Sequence, residues 1–427
     1  MKPSTAPFSW RDGWRYGLMG LPLAFVALPL YVILPNYYAR NFGFPLAALG
    51  AILLGARFFD ALIDPLLGRW SDHLYSHSSQ LILRWSAVAA MVLGLGFVML
   101  FFPAVQQLGQ LGVWLGISLV VTYIAFSALT IMHQSWGARL GGDEAQRSRI
   151  VAWREGLGLA GVLLASILPV VFGMPATSAV FFAALALGLW AWTRAPKPGG
   201  IEHTATVNHH KNQLQQSLLQ PFKHPAFRAL LAVFVFNGIA SAIPATLLLF
   251  FVQDKLQAPA STEPLFLGSY FICAALSIPL WLHGVLRIGM ARTWLAGMLL
   301  TIGVFLFAAL LSSGDIAGFV VVCALSGVGL GADLALPSAL LAGVIQAHGD
   351  QGRAEGAYFG WWNFATKLNL ALAAGLALPI LGVLGYVPGT RDAAALNLLT
   401  WAYCLLPCLL KLFAAGFLYS LILRKTL

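Results

Sequence analysis

Twelve continuous apolar runs, each of about twenty residues or more, constrain this 427-residue chain more tightly than any other feature. They cover 14–37, 46–68, 83–103, 111–136, 150–173, 176–193, 226–251, 264–284, 293–312, 316–346, 356–384 and 396–423. A helix needs about 20 apolar residues to cross a bilayer. Lipid offers the backbone no hydrogen-bond partner, so a spanning segment is either a helix or part of a closed barrel. The runs are unbroken rather than alternating, which selects helices. Composition agrees: 59% of residues are hydrophobic and 9% charged, where soluble domains carry roughly a quarter charged residues. The expected fold class is therefore an all-α polytopic membrane protein, and a water-soluble globule is excluded. Lys2, Arg11 and Arg15 precede a first run long enough to span, with no small-residue cleavage site, so a spanning segment is expected there rather than a cleaved leader.

The longest polar stretch between runs extends from Arg194 to His224 and holds Pro196, Gly199, Gly200, His209, His210 and Lys211. It reads as an exposed linker. The expected organisation is a six-helix bundle over 1–194, a linker over 195–224 and a second six-helix bundle over 225–427. Internal duplication of a six-span half is a common plan for transporters. With the N-terminus inside, eighteen of the 25 Lys and Arg residues fall on inner segments. Three fall on outer segments (Arg40, Lys255, Arg391) and four within spans (Arg57, Arg154, Lys367, Lys411). That bias places both termini and the linker in the cytoplasm. The net charge of +10 then belongs to topology and lipid headgroups rather than to nucleic acid. Cys273, Cys323, Cys404 and Cys408 all lie in apolar runs and read as packed free thiols.

Ionisable residues inside a membrane are costly, about 3 kcal/mol each on insertion scales, so they mark function first. Span two carries Arg57, Asp60 and Asp64, at helical spacing for one stripe. Two carboxylates a turn apart repel when both ionise, and a Na⁺, a proton or the guanidinium relieves them. A buried Arg57–acid pair that only fixes packing leaves the second acid unexplained. Asp60 and Asp64 are thus the candidate cation site, and the Na⁺ ligands if coupling is to sodium. Asp333 in span ten and Lys367 in span eleven join Arg57 as a charge network. The charges of Arg57, Arg154 and Lys367 balance those of Asp60, Asp64 and Asp333. His133 in span four reads as a packing histidine or a substrate contact. Trp361 and Trp362 read as interface anchors, packing residues or stacking surfaces for a ligand ring. Asn237 and Asn363 complete the polar candidates for substrate. Lys411, mid-span twelve, has no assigned role beyond snorkelling or a partner not visible in the sequence.

Several segments carry a family resemblance: Tyr16-Gly17, the run from Ala56 through Arg57-Phe58-Phe59-Asp60 and Asp64-Pro65 to Gly68, Glu144 to Glu155, and Glu355 to Lys367. Gly68-Arg69-Trp70-Ser71-Asp72 resembles the gating loop between spans two and three of major facilitators. With them the chain resembles the glycoside–pentoside–hexuronide:cation symporters of melibiose-permease type, which have the major facilitator fold. The resemblance implies that Asp60 and Asp64 bind the coupling Na⁺, Li⁺ or H⁺, that Arg154 lies at the sugar site, and that Lys367 lies near the cation. It implies alternating access with solute and cation in one central cavity. Two departures stand out. The family's span-one acid is missing from Leu21-Pro22-Leu23-Ala24, and its span-four acid, after Thr122-Tyr123, is replaced by Ser127. A sugar hydroxyl that loses its partner costs about 1–3 kcal/mol, so the cation site carries over better than the sugar site.

The expected function is cation-coupled symport of a small organic solute, with a sugar or glycoside as the first candidate. The alternatives are a lysolipid or other lipophilic solute, and a proton-driven exporter that relays through Arg57, His133 and Asp333. Tyr123, His133, Arg154, Asn237, Trp361, Trp362 and Asn363 are the substrate candidates, and Ser127 joins the two acids at the cation. No HExxH, GxSxG or phosphate-binding loop appears, so an enzyme is not expected. No cofactor is expected beyond the coupling ion, Na⁺ or H⁺. The expected partners are solute, cation and membrane lipids, without nucleic acid. A monomer in a bacterial inner membrane is expected.

Overall fold

The computed structural model describes residues 8–105, 107–198 and 218–424, and all regular structure among them is helical. Most of the expected linker, 199–217, lies outside the described residues. The chain falls into two compact units. The first comprises Met1–Lys223 with Ile345–Phe364, and the second His224–Val344 with Ala365–Leu427.

The first unit begins with α1 (Trp10–Gly17), α2 (Gly20–Leu28), a π turn (Pro29–Ile33) and α3 (Leu34–Phe42). It continues with α4 (Leu46–His77), α5 (Ser79–Phe101), α6 (Leu108–Arg139) and α7 (Glu144–Thr193). Short polar residues set the starts. Ser78 Oγ accepts from Leu81 N at 3.1 Å ahead of α5, and Asp143 Oδ1 accepts from Gln146 N at 2.8 Å ahead of α7. At 50 residues α7 would be about 75 Å long if straight, more than twice a bilayer core. Gly173, at φ 75° and ψ 174° between Pro169 and Pro175, breaks it into two crossings. Helices α1 and α2 meet α7 through glycine. A Cβ on Gly17 would lie 2.7 Å from the Trp153 carbonyl oxygen, and Gly20 and Gly161 likewise leave no room for a side chain. Small residues give membrane helices this close approach.

The second unit holds α8 (Pro225–Phe250), α9 (Glu263–Ile288), α10 (Met290–Ala308), α11 (Ile316–Ala335) and most of α12 (Pro337–Ala347). The later part of α13 (Glu355–Val383) belongs to it, as do α14 (Ala393–Thr400) and α15 (Leu406–Phe417), which a π turn at Trp401–Leu405 joins. Its core includes Leu247, Phe251, Phe319, Leu399, Tyr403 and Cys404. The rings of Phe251 and Tyr403 stack at 4.2 Å.

Among the described residues nine helical runs are long and apolar enough to cross a membrane. Helices α4 and α13 are as long and carry the charges expected in spans two and eleven. Large apolar side chains face outward, Val170 at 85% and Leu276 at 74% exposure among them. In water such a surface would aggregate; in a bilayer it is the solvated face.

Candidate functional site

Helix α4 is two-faced. Ala56, Asp60, Asp64 and Leu67 are buried, while Leu54, Phe58, Leu62 and Leu66 are exposed. The two acids thus sit on the protein-facing side, Asp60 at 1% and Asp64 at 0% exposure. From α6, Ser127 donates its hydroxyl to Asp60 Oδ1 at 2.8 Å. Tyr123, one turn earlier on α6, is fully buried, and its ring lies 5.8 Å from that of Tyr31 in the π turn of span one. Arg57 shares the helix with the acids but not their burial. It donates from Nη2 to the Tyr31 carbonyl at 3.2 Å, and its guanidinium lies 4.8 Å from the Tyr31 ring centroid. Wide π turns recur at functional sites, where they re-aim groups that a regular helix would hold in its own ladder.

The first turns of α13 pack on α4 at glycines. A Cβ on Gly360 would lie 2.6 Å from the Asp64 carbonyl oxygen, and Gly68 and Gly356 exclude side chains from each other. Two turns beyond Asp64, past the apolar part of α4, Asp72 caps the start of α13. Its Oδ1 accepts from Gly356 N at 2.7 Å and its Oδ2 from Ala357 N at 2.8 Å. A carboxylate there satisfies orphan N–H groups and meets the positive end of the helix dipole. Arg139, at the end of α6, contacts Asp72 Oδ1 at 3.1 Å and Glu355 Oε2 at 2.9 Å. The Glu355 contact is an ion pair without hydrogen-bond geometry. Arg139 also donates to the Gly352 carbonyl at 2.9 Å and stacks 4.0 Å over Tyr75. One fully buried acid, Glu355, and one largely buried acid, Asp72, therefore share one guanidinium. Burial pushes Asp72 up to about 7, against the opposing pull of Arg139, and Glu355 adds to the rise. Burial raises Glu355 as well, with Arg139 again opposing.

The other sequence-selected residues are placed as follows. His133 is fully enclosed: its ring stacks on Tyr16 at 4.4 Å, meets Trp192 edge-on at 4.9 Å, and its Nε2 lies 2.9 Å from the Tyr16 carbonyl. Arg154 is buried and donates from Nε to Glu155 at 2.8 Å. Trp361 donates to the Leu218 carbonyl at 2.8 Å and packs edge-on against Phe222. Trp362 is buried, and Asn363 donates to Gln134 at 2.8 Å. In the second unit Lys367 is half-buried on α13. There Asp333 receives Asn237 Nδ2 at 3.0 Å, Trp294 Nε1 at 2.9 Å and Lys411 Nζ at 2.9 Å. The sequence reading grouped Asp333 with Arg57 and Lys367; its partner in this unit is Lys411. Arg139 and Glu355 were read only as a topology charge and a segment boundary. In the sequence both lie far from the Gly68–Asp72 motif, Arg139 at a separation of 67 positions from Asp72, so no local signal joined them to it.

Among the described residues no three His, Cys, Asp or Glu side chains converge as a metal centre. Asp60, Asp64 and Ser127 supply hard oxygens, the donor set that suits an alkali ion or a proton rather than a transition metal.

The family model described as MFS/sugar transport protein matches residues 15–424. The chain is 24% identical to an uncharacterized symporter, YjmB, of Bacillus subtilis, across 91% of this chain and 88% of that protein. It is also 24% identical to the isoprimeverose transporter of Lactiplantibacillus pentosus, across 95% and 88%. The major facilitator transporter FucP, solved in its outward conformation, superposes with a TM-score of 0.65 at 13% identity, across 95% of this chain and 99% of that one. That likeness is one of fold. The all-helical architecture, the apolar outer face and the family match across nearly the whole length agree: the chain is an integral membrane protein of the MFS/sugar transport family, the glycoside–pentoside–hexuronide:cation symporter type of the major facilitator fold.

Proposed function

We propose that this transporter couples the entry of Na⁺ or H⁺ at Asp60 and Asp64 to the movement of a sugar or glycoside by alternating access. The chain is a symporter by family and not an enzyme. The observation that carries the cation site is the pair of fully buried acids one turn apart on α4, with the Ser127 hydroxyl donated to one of them at 2.8 Å. Two carboxylates so placed favour the arrival of positive charge, since both cannot stay ionised there at low cost. A cation at that site changes the charge of α4, and with it the relative stability of the transporter's states. Arg57, Tyr31 and Tyr123 supply a cation and two aromatic faces next to the acids, which suits a polar ring. The inner-membrane location and cytoplasmic termini rest on the Lys and Arg bias, the lipid contacts on the apolar outer surface, and a monomer belongs to the same proposal.

The exporter relay through Arg57, His133 and Asp333 is less well supported. His133 is closed in by Tyr16 and Trp192, and Asp333 is already bonded to three helices. The deciding experiment is sugar uptake into proteoliposomes under an imposed Na⁺ or H⁺ gradient. Asp60→Asn and Asp64→Asn each abolish gradient-driven accumulation while leaving the protein folded. Full accumulation by both variants would refute the site.

A further inference from the structure

The second unit buries a polar cluster that the cation site does not use. Asp333 stands two residues before the end of α11, and the helical run breaks just beyond it, at Leu336, because Pro337 has no N–H to continue the ladder. Its carboxylate is surrounded. Oδ1 accepts from Asn237 Nδ2 of α8 at 3.0 Å and from Trp294 Nε1 of α10 at 2.9 Å. Oδ2 accepts from Ser241 Oγ of α8 at 3.4 Å and from Lys411 Nζ of α15 at 2.9 Å. Lys411 is 2% exposed and also donates to Asn237 Oδ1 at 2.7 Å. Helix α9 packs on α11 a turn and a half earlier, where Gly327 meets the Tyr270 backbone and Trp281 Nε1 donates to the Val328 carbonyl at 2.7 Å, and the Asp333 side chain keeps 13% exposure. Tyr270 is the titratable side chain that this helix places in the field of the carboxylate.

Four donors fill the roughly four lone-pair directions of one carboxylate. Such a group has no vacancy for a coupling ion, and its charge is balanced on the spot by a lysine from the last helix. We propose that Lys411 is a positioning residue for transport: as the buried counter-ion of Asp333 it ties α8, α10, α11 and α15 into one body and fixes the end of α11 at the Leu336–Pro337 break. Alternating access moves packed bundles as rigid bodies around such breaks. Losing one member of a buried pair strands the other charge, whereas replacing both by neutral groups of similar size costs little.

This inference rests on the transport reading, and its test separates the two. Lys411→Met, Asp333→Asn/Lys411→Met and wild type are purified and melted from pH 5.5 to 8, and uptake is measured in parallel. In Lys411→Met the stranded carboxylate is tolerated only when it takes up a proton. Uptake relative to wild type therefore falls at least about tenfold at pH 8 and returns to within about threefold at pH 5.5, with the melting temperature following. The double variant has no charge to strand, so it melts and transports with the wild-type pH profile. A lysine that merely filled space would produce no pH-dependent rescue. Should Lys411→Met yield no folded protein, the double variant decides: a folded, active double variant supports the pair, and one that also fails refutes it. Wild-type behaviour of Lys411→Met at every pH refutes it too. Melting needs no substrate, so failure of sugar uptake in wild type would count against the transport reading alone.

Discussion

The shared guanidinium at Asp72, Arg139 and Glu355 makes a prediction whose sign and size follow from geometry. With both acids ionised the cluster carries one uncompensated negative charge in a buried place, so the folded state keeps a proton there. Asp72 rises to about 7 when folded, against about 3.9 for an unfolded Asp. A carboxyl raised on folding contributes stability that is complete below the unfolded value and is lost as pH climbs through the folded one. The window is therefore about pH 4 to 7, with a slope of about 1.4 kcal/mol per pH unit while one proton separates the two states. Over that window the change is on the order of 2–4 kcal/mol. Glu355→Gln removes the Glu355 share of the rise and leaves Asp72 paired one-to-one with Arg139, so the slope shrinks while the part due to burial remains. Arg139→Met has the opposite effect: two buried acids without a cation cost about 3–5 kcal/mol at neutral pH, relieved on acidification. The assay is unfolding of detergent-purified protein from pH 5 to 8, read as the difference between wild type and each variant so that titrations elsewhere cancel. A wild type that keeps or gains stability relative to Glu355→Gln between pH 5 and 8 would refute the shared-proton argument.

Other predictions concern the acid pair and the helix crossings. In Na⁺-driven uptake, Ser127→Ala raises the half-activating Na⁺ concentration about tenfold, because an oxygen beside Asp60 is lost. In H⁺-driven uptake it moves activation to higher pH, because ionised Asp60 loses its donor; unchanged activation under both gradients would remove Ser127 from the site. Gly20→Val drives a side chain into the Arg154 backbone; a cost of about 1–3 kcal/mol or more, seen as lost thermal stability, is expected, and a neutral result would mean α2 and α7 are less closely packed. Gly360→Val should impair both packing and cation activation, since its side chain would strike the Asp64 carbonyl.

Which readings came from the chain alone, and which did not, follows the range of the forces involved. Bilayer insertion is a local demand: about twenty adjacent residues must be apolar and must bond their own backbone. That is why helices such as Ser79–Phe101 and Met290–Ala308 could be read directly, and why the runs 150–173 and 176–193 could be read as separate crossings although α7 extends through both. The 3.6-residue period put Asp60 and Asp64 on one face, and both are on the buried side of α4. The same period grouped Arg57 with them, yet its long side chain reaches round to the Tyr31 carbonyl. Reach and rotamer are settled by neighbours, not by spacing.

Partners from distant helices belong to the tertiary structure. Nothing near Lys411 in the sequence names Asp333, 78 positions away, and nothing near Arg139 names Glu355. Hydropathy assigns a residue to a helix and periodicity to a face. Only the packing of one helix against another decides which charges meet, because a buried charge is stabilised by whatever group the fold brings within about 3 Å. By itself the sequence determined that this chain crosses a membrane many times and carries two acids on one helix face. The assembled bundle decided that Ser127 reaches the first acid, that Asp72 caps α13, and that the lysine of the last helix has a counter-ion.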